Sequence, residues 1–420
     1  MRVLYHHRTL AEDAQGVHIE EITRALRRGG HSVREASLVK RDPVASQGSS
    51  SNSGSPSTPT AGPHAAANGS GSDSGGPWRL VAKLARGPLY ELAEYAYNVP
   101  ARRMLEREIR DFRPHLIYER YSLSTVAGIR AARALQVPHI LEVNAPLVDE
   151  KLRWGKLWFR GLARRIERWI FKNTDCVIVV SDVLKKMVVE LGVPAERVRV
   201  VRNGADDGRF HPRTPGQAVR SQFGLEGRVV LGFVGWFREW HGVESVVEAL
   251  GHPELRDEPV DLLLVGDGPA RASIEATAAR LGLSERVHVT GAVKRSHVPR
   301  HVAAFDVALQ PAATAYACPM KIPEYLAAGK PVVAPDQDNI RELVRDDGEG
   351  ILFRPDDAAD LRRAIRAIAV DDELRSRLST GARQRVLEEG WSWSRNAERI
   401  VAMQAEIANG LVKEAPVSFR

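Results

Sequence analysis

Two cysteines in 420 residues, Cys176 and Cys318, supply neither a disulfide framework nor metal-ligand spacing, which fits a reducing compartment. No run of about twenty apolar residues occurs, so the sequence holds no helix suited to span a bilayer. Met1-Arg2-Val3-Leu4-Tyr5-His6 runs directly into a strand pattern, so no signal peptide is expected. These absences predict a cytoplasmic protein. Gly-x-Ser-x-Gly is missing, and Gly266-Asp267-Gly268-Pro269 starts a dinucleotide fingerprint whose third glycine position is Arg271, so it reads as a strand-to-helix turn with Pro269 at the first helical position. Gly329-Lys330 is no P-loop, because it follows a helix and Pro331 takes the hydroxyl position. Asp336-Gln337-Asp338 resembles a metal-binding Asp-x-Asp but lies between a parallel strand and a helix over 340–344, where capping explains it. His297 and His301 have ligand-like spacing with Pro299 between them and no third ligand, so no metal is expected. No nucleic-acid module appears and no nucleic-acid partner is expected. The net charge of +7 and pI near 9.5 point to acidic partners such as nucleotides or an anionic lipid surface.

What is present is a βα rhythm repeated twice. A chain of this length suits two domains. Apolar strand runs are predicted at 2–6, 33–39, 115–119, 138–143, 175–180 and 198–201, with helices over 15–28, 124–135 and 162–172. A second series is expected near 229–234, 260–265, 287–290, 307–310, 332–334 and 351–353. Alternation of this kind predicts an α/β fold with doubly wound sheets, whose ligands lie at the carboxyl ends of the strands. Residues 43–77 are Ser, Gly, Pro, Asn and Ala with almost no large apolar side chain, and read as a disordered insert. Helices are predicted over 78–112, interrupted near Gly87-Pro88 and Pro100. The run 151–172 mixes Arg and Lys with Trp154, Trp158, Phe159, Trp169 and Phe171. Its first half suits an anionic membrane surface and its second half a domain helix with a solvated basic face.

The densest stretch is 315–336. Pro319 and Pro323 suit the first turn of a helix, Gly329 ends it and Pro331 forbids its resumption, and 332–334 is a covered parallel strand. Lys321 falls at the start of that helix, where free N–H groups and the dipole favour an anion. Glu324, a turn away, suits neutral hydroxyls on the same ligand. A diphosphate attached to a ribose satisfies both.

The run Glu324-Tyr325-Leu326-Ala327-Ala328-Gly329-Lys330-Pro331-Val332-Val333 resembles the Glu-x-x-Ala-x-Gly-x-Pro-Val-Val signature of the GT-B retaining glycosyltransferases called family 4. The resemblance implies two Rossmann-like domains facing a cleft: 1–204 on the acceptor side, 205–390 binding the donor, and 391–420 crossing back to the first domain. It implies that Glu324 binds the donor ribose and that the loop before it, with Met320, holds the diphosphate. The family's second glutamate, eight residues earlier, is replaced by Tyr316. Gly16 matches a glycine placed against the donor phosphates, and Asn144 takes the place of a histidine that contacts the sugar. In the loop 232–242 the family's phosphate-clamping Arg and Lys are Trp236 and His241, after Gly235. Arg238 is then the loop's permanent cation, sharing the work with Lys321, while His241 hydrogen-bonds to phosphate. The expected reaction is hexosyl transfer, with retention, from a UDP- or GDP-sugar to a glycan or lipid-linked acceptor in cell-surface glycan or glycolipid synthesis. The nucleotide sugar is a substrate, and no cofactor or metal is expected. The expected location is cytoplasmic, with contact at the inner membrane face. A sugar-nucleotide epimerase of the same fold and a non-catalytic nucleotide-sugar-binding scaffold are the alternatives.

Overall fold

The computed structural model describes residues 1–9, 14–38, 87–153 and 157–410. The insert expected at 43–77, and Trp154 and Lys156, lie outside the described residues. The chain divides into two compact units, with the described residues up to Arg202 and from Ser394 onward in the first and Asn203–Trp393 in the second.

In the first unit the elements run β1 (Arg2–His6), α1 (Ala14–Arg28), β2 (Ser32–Ala36), α2 (Pro88–Ala96), α3 (Asn98–Phe112), β3 (Leu116–Arg120), α4 (Ala127–Ala134), β4 (His139–Val143), α5 (Leu147–Arg153), α6 (Arg160–Asn173), β5 (Cys176–Val179), α7 (Asp182–Glu190) and β6 (Val198–Val200). The six strands pair in parallel in the order β2-β1-β3-β4-β5-β6. Central strands β4 and β5 are buried throughout, as expected for strands covered on both faces, whereas edge strand β2 is mostly half-buried and carries Ser32, Arg34 and Glu35. Pro100 does not interrupt a helix. The break falls at Tyr97, and Pro100 sits in the first turn of α3, where its missing N–H costs nothing.

The second unit runs α8 (Gln217–Phe223), β7 (Val229–Val234), α9 (Val243–Gly251), α10 (Pro253–Arg256), β8 (Val260–Val265), α11 (Arg271–Arg280), β9 (Val287–Val289), α12 (Val298–Ala303), β10 (Val307–Leu309), α13 (Lys321–Ala327), β11 (Val332–Pro335), α14 (Asp338–Arg341), β12 (Gly350–Phe353), α15 (Ala358–Val370) and α16 (Asp372–Glu389). Its parallel strands are ordered β12-β11-β10-β7-β8-β9, so the winding reverses between β7 and β10. Val260–Val265 is buried at every position and anchors the core with Phe233, Phe237, Val246 and Leu250. Asp357 and Asp371 cap α15 and α16 by accepting from Asp360 N and Leu374 N, both at 2.9 Å. The capping expected of Asp336 and Asp338 differs in detail: Gln337 is the N-cap residue without a side-chain bond, and Asp336 pairs with Arg341.

The last helix, α17 (Trp393–Ala408), returns to the first unit. Arg199 meets Glu406 at 3.1 Å, and Asn396 Nδ2 donates to Arg202 O at 2.8 Å. Among the described residues no helix is long and apolar enough to cross a membrane.

Candidate functional site

The winding reversal between β7 and β10 selects the loops that leave those strands, 235–242 and 310–320, as the ligand-facing edge of the second unit. The first loop has to bend sharply over its neighbour. Gly235 adopts a φ of 150°, and a Cβ there would come within 3.2 Å of Lys321 Nζ. Beneath it, a Cβ on Gly266 would stand 2.0 Å from Gly235 O, so only glycine at that position allows the two backbones this approach. Phe237 N donates to Asp267 O at 2.7 Å, and Ala270 N to Phe237 O at 3.0 Å. The turn at 266–270 thus supports the loop.

The second loop has almost no secondary structure of its own, and three side-chain amides hold it. Asn203 Nδ2 donates to Cys318 O at 2.6 Å, Asn339 Nδ2 to Thr314 O at 3.0 Å and to Ala317 O at 2.7 Å, and Gln310 Nε2 to Ala312 O at 2.5 Å. The loop carries Tyr316 and Met320, both half-buried, and delivers Lys321 as the first residue of α13. Gly329, at a φ of 69°, closes the turn after that helix. Tyr325, fully buried, accepts Val234 N at 2.8 Å and ties α13 to the end of β7.

Gly235, Arg238, His241 and Lys321, all predicted, converge here. Lys321 Nζ lies 3.8 Å from the Phe233 ring centroid, a cation–π contact. Among the described residues it forms no ion pair. Burial pulls its ammonium down to about 7, with the Glu324 charge partly opposing. His241 packs on Phe233 and Trp240, with ring centroids 5.5 Å and 4.0 Å away. Burial lowers its pKa to about 3, and the Lys321 and Arg238 charges push the same way, so it is a neutral hydrogen-bonding group at ordinary pH. Arg238 N approaches His241 Nδ1 at 3.5 Å, and the Arg238 guanidinium has no carboxylate partner among the described residues. The surface pair with Glu239 that the sequence permits does not form. Arg238 and Lys321 thus stand near a neutral imidazole, and among the described residues neither pairs with a carboxylate.

Glu324 is also placed here, but not alone. Only 4% exposed, it accepts from both terminal nitrogens of Arg295, Nη1 at 3.2 Å and Nη2 closer still. Arg295 comes from the turn after β9 and stacks over Phe210 at 5.3 Å. Sequence reasoning missed it; a basic residue just past a strand's carboxyl end was the available signal.

Gly16 and Asn144 lie in the other unit. Gly16 is buried within the first turn of α1 instead of forming a separate loop. Asn144 follows β4 at the carboxyl edge of the first sheet, half-buried, and donates through Nδ2 to Glu142 Oε1. Glu142 is 1% exposed and also accepts from Arg120 Nη1 and Tyr118 OH, both at 2.6 Å, with His18 Nδ1 at 3.5 Å. No local pattern marks this cluster, because its residues interrupt strands that otherwise read as apolar. Among the described residues no group of three or more His, Cys, Asp or Glu side chains is placed to hold a metal ion.

Two family models match the chain: one described as Glycosyl transferases group 1 over residues 228–371, and one described as Glycosyltransferase Family 4 over residues 15–209. The alpha-D-kanosaminyltransferase of Streptomyces kanamyceticus is 25% identical over 274 residues, covering 64% of this chain and 68% of that protein. The GDP-mannose-dependent alpha-mannosyltransferase of Mycobacterium tuberculosis is 26% identical over 324 residues, covering 75% and 77%. The crystal structure of HepE from Anabaena in complex with UDP superposes with a TM-score of 0.69 at 17% identity, covering 97% of this chain and all of that one.

Proposed function

Because the chain belongs to the group 1 glycosyltransferases and has their two-domain GT-B fold, we propose that it transfers a hexosyl group from a UDP- or GDP-sugar to an acceptor hydroxyl with retention of anomeric configuration. The observation that supports the donor class is the pair of cations, Arg238 in the loop after β7 and Lys321 at the start of α13, which have no carboxylate partners among the described residues. A diphosphate supplies the negative charge they lack. The bond from the anomeric carbon to the diphosphate oxygen breaks, and the acceptor oxygen bonds to that carbon on the same face. The acceptor's proton passes to the departing phosphate oxygen. Arg238 and Lys321 stabilise the charge developing on the leaving group, a preorganised electrostatic contribution. His241, kept neutral, donates a hydrogen bond to phosphate. Glu324 accepts from the ribose hydroxyls, Met320 lines the diphosphate loop, and Tyr316 stands on the sugar side where the family places a carboxylate. The nucleotide sugars used by the relatives, GDP-mannose, and found with HepE, UDP and UDP-glucose, define the donors to try first.

The acceptor is a glycan or lipid-linked glycan, met at the cytoplasmic face of a membrane. Leu89, Leu92, Trp158 and Leu162 are 63%, 50%, 65% and 44% exposed, and so are Arg160 and Arg165 of α6 and Arg153 at the end of α5. Glu91 joins α2 to the start of α6 by accepting from Trp158 N at 2.5 Å and Phe159 N at 2.9 Å. Exposed apolar side chains together with arginines suit anionic lipid.

A thermal-shift screen of UDP, GDP and their sugars tests the donor class, since a tight ligand raises apparent stability by mass action. Transfer to an acceptor, followed by determination of the product's anomeric configuration, tests the reaction. No shift with any of these nucleotides, or an inverted product, contradicts the proposal.

A further inference from the structure

At the carboxyl edge of the first sheet, the register places Tyr5 beside Tyr118 and Arg120 beside Glu142 on one face. The Tyr5 and Tyr118 rings lie 5.2 Å apart, and His7 follows Tyr5 at 5.9 Å. Glu142 is the centre of this face. A carboxylate buried so completely is retained only when its charge is answered. Burial by itself raises its carboxyl, but the His18 ring, the Arg120 guanidinium and the Tyr118 and Asn144 hydrogen bonds together hold it below the ordinary carboxylate range. It is therefore an ionised acceptor, with no proton to give.

That fixes Asn144. The two ends of an asparagine amide are of similar shape but opposite hydrogen-bonding sense, and either orientation is open until a neighbour decides. An ionised carboxylate decides it, because only the NH₂ end can face acceptor oxygens. Asn144 Nδ2 donates to Glu142 Oε1, so Oδ1 is the end turned away from Glu142, on a half-buried side chain at the strand terminus where this class of sheet receives ligands. No donor among the described residues uses that oxygen.

We propose that Glu142 is a positioning residue that locks the Asn144 amide, making Asn144 a dedicated acceptor for one hydroxyl of the transferred or receiving sugar. This rests on the sugar-transfer reading above. A site that only accepts selects a hydroxyl over a hydrogen or an ether oxygen at the matching sugar position, because those leave Oδ1 desolvated and unpaired. Glu142 touches no substrate. It acts through Asn144 alone.

The test uses the full-length protein with UDP-glucose and GDP-mannose as donors, and follows kcat/KM together with UDP and GDP binding by calorimetry. Glu142→Gln lets the amide turn either way and should lower kcat/KM about tenfold, the scale of one mis-set hydrogen bond. Asn144→Asp sets two carboxylates against each other and should lower it at least as much. The double variant E142Q/N144D restores a donor at 142 facing an acceptor at 144, and should recover to within about threefold of the parent, a rescue that a loss of packing does not produce. Nucleoside diphosphate binding should be unchanged throughout. Asn144→Ala, which leaves the buried cluster in place, should show the same tenfold loss and keeps the test decisive if Glu142→Gln does not fold. A parental rate in Asn144→Ala or Glu142→Gln, or a double variant no better than the single ones, overturns the inference while nucleotide binding stands. Loss of nucleotide binding in the parent would instead remove the sugar-transfer reading itself.

Discussion

Arg295 and Glu324 meet two nitrogens to two oxygens, with the carboxylate almost wholly buried and the guanidinium reaching it from a different strand-end turn. A fork-to-fork pair of this kind fixes the orientation of both groups. It fixes the direction of the Glu324 carboxylate on the helix that Lys321 begins. The residue proposed to grip a ribose is thus prepared by a partner outside its own helix.

Removing either member has distinguishable effects. Arg295→Ala leaves a carboxylate buried without its counter-charge and should cost about 2 kcal/mol of stability, read from urea unfolding. Glu324→Gln keeps the shape and lowers the acceptor strength, so UDP or GDP should bind more weakly by calorimetry with little change in melting temperature. Unaltered nucleotide affinity in Glu324→Gln would refute the ribose role.

Lys321 carries the sharpest catalytic expectation. Its ammonium stands over Phe233 and has no carboxylate partner among the described residues. Lys321→Ala should reduce kcat/KM by about a hundredfold, the usual scale for losing one donor to a developing negative charge. A near-normal rate would exclude it from the reaction.

The same ammonium predicts how donor binding responds to pH. Burial lowers its pKa from the ordinary lysine value to about 7 without ligand, and a bound diphosphate favours the protonated form and raises it. Affinity for a sugar nucleotide, whose diphosphate diester has no proton to lose in this range, should therefore be level below pH 7. Above pH 7 it should weaken, by at most tenfold per pH unit, until the bound-state pKa is passed. Calorimetry in buffers of different ionisation enthalpy should find proton uptake near pH 8. An affinity independent of pH between 6.5 and 9 contradicts this.

The apolar and basic surface of α2 and α6 gives a separate expectation. The full-length protein should sediment with vesicles containing anionic lipid and not with purely zwitterionic ones, with binding that falls as salt rises. A Trp158→Ala, Leu162→Ala double variant should lose most of that binding and keep its activity on a soluble acceptor. Equal binding by parent and variant would remove this surface from consideration.

Both sheets were legible in the sequence because strands covered on two faces leave continuous apolar runs, and 260–265 and 332–334 are read with little ambiguity. The helix at Lys321 was equally plain, since Pro319, Gly329 and Pro331 punctuate it. Edge strand β2 was overextended, because polar residues on an edge resemble the loop that follows. Arg295 escaped notice for a different reason: its partner lies 29 residues away, and only the order β10-β7-β8-β9 brings their loops together. Glu142 was hidden by the reverse effect, a charge inside a strand whose neighbours are apolar, where meaning depends on Tyr118 and Arg120 in the next strand. Such pairings are products of topology, and no local pattern encodes them.

The segment between β10 and α13 has its carbonyls fastened by Asn203, Gln310 and Asn339, all groups of the protein itself. Its freedom is given up during folding, so an arriving nucleotide has little left to immobilise there. Recognition at this loop should then resemble a key meeting a cut lock, with selectivity written into the shape of the resting protein.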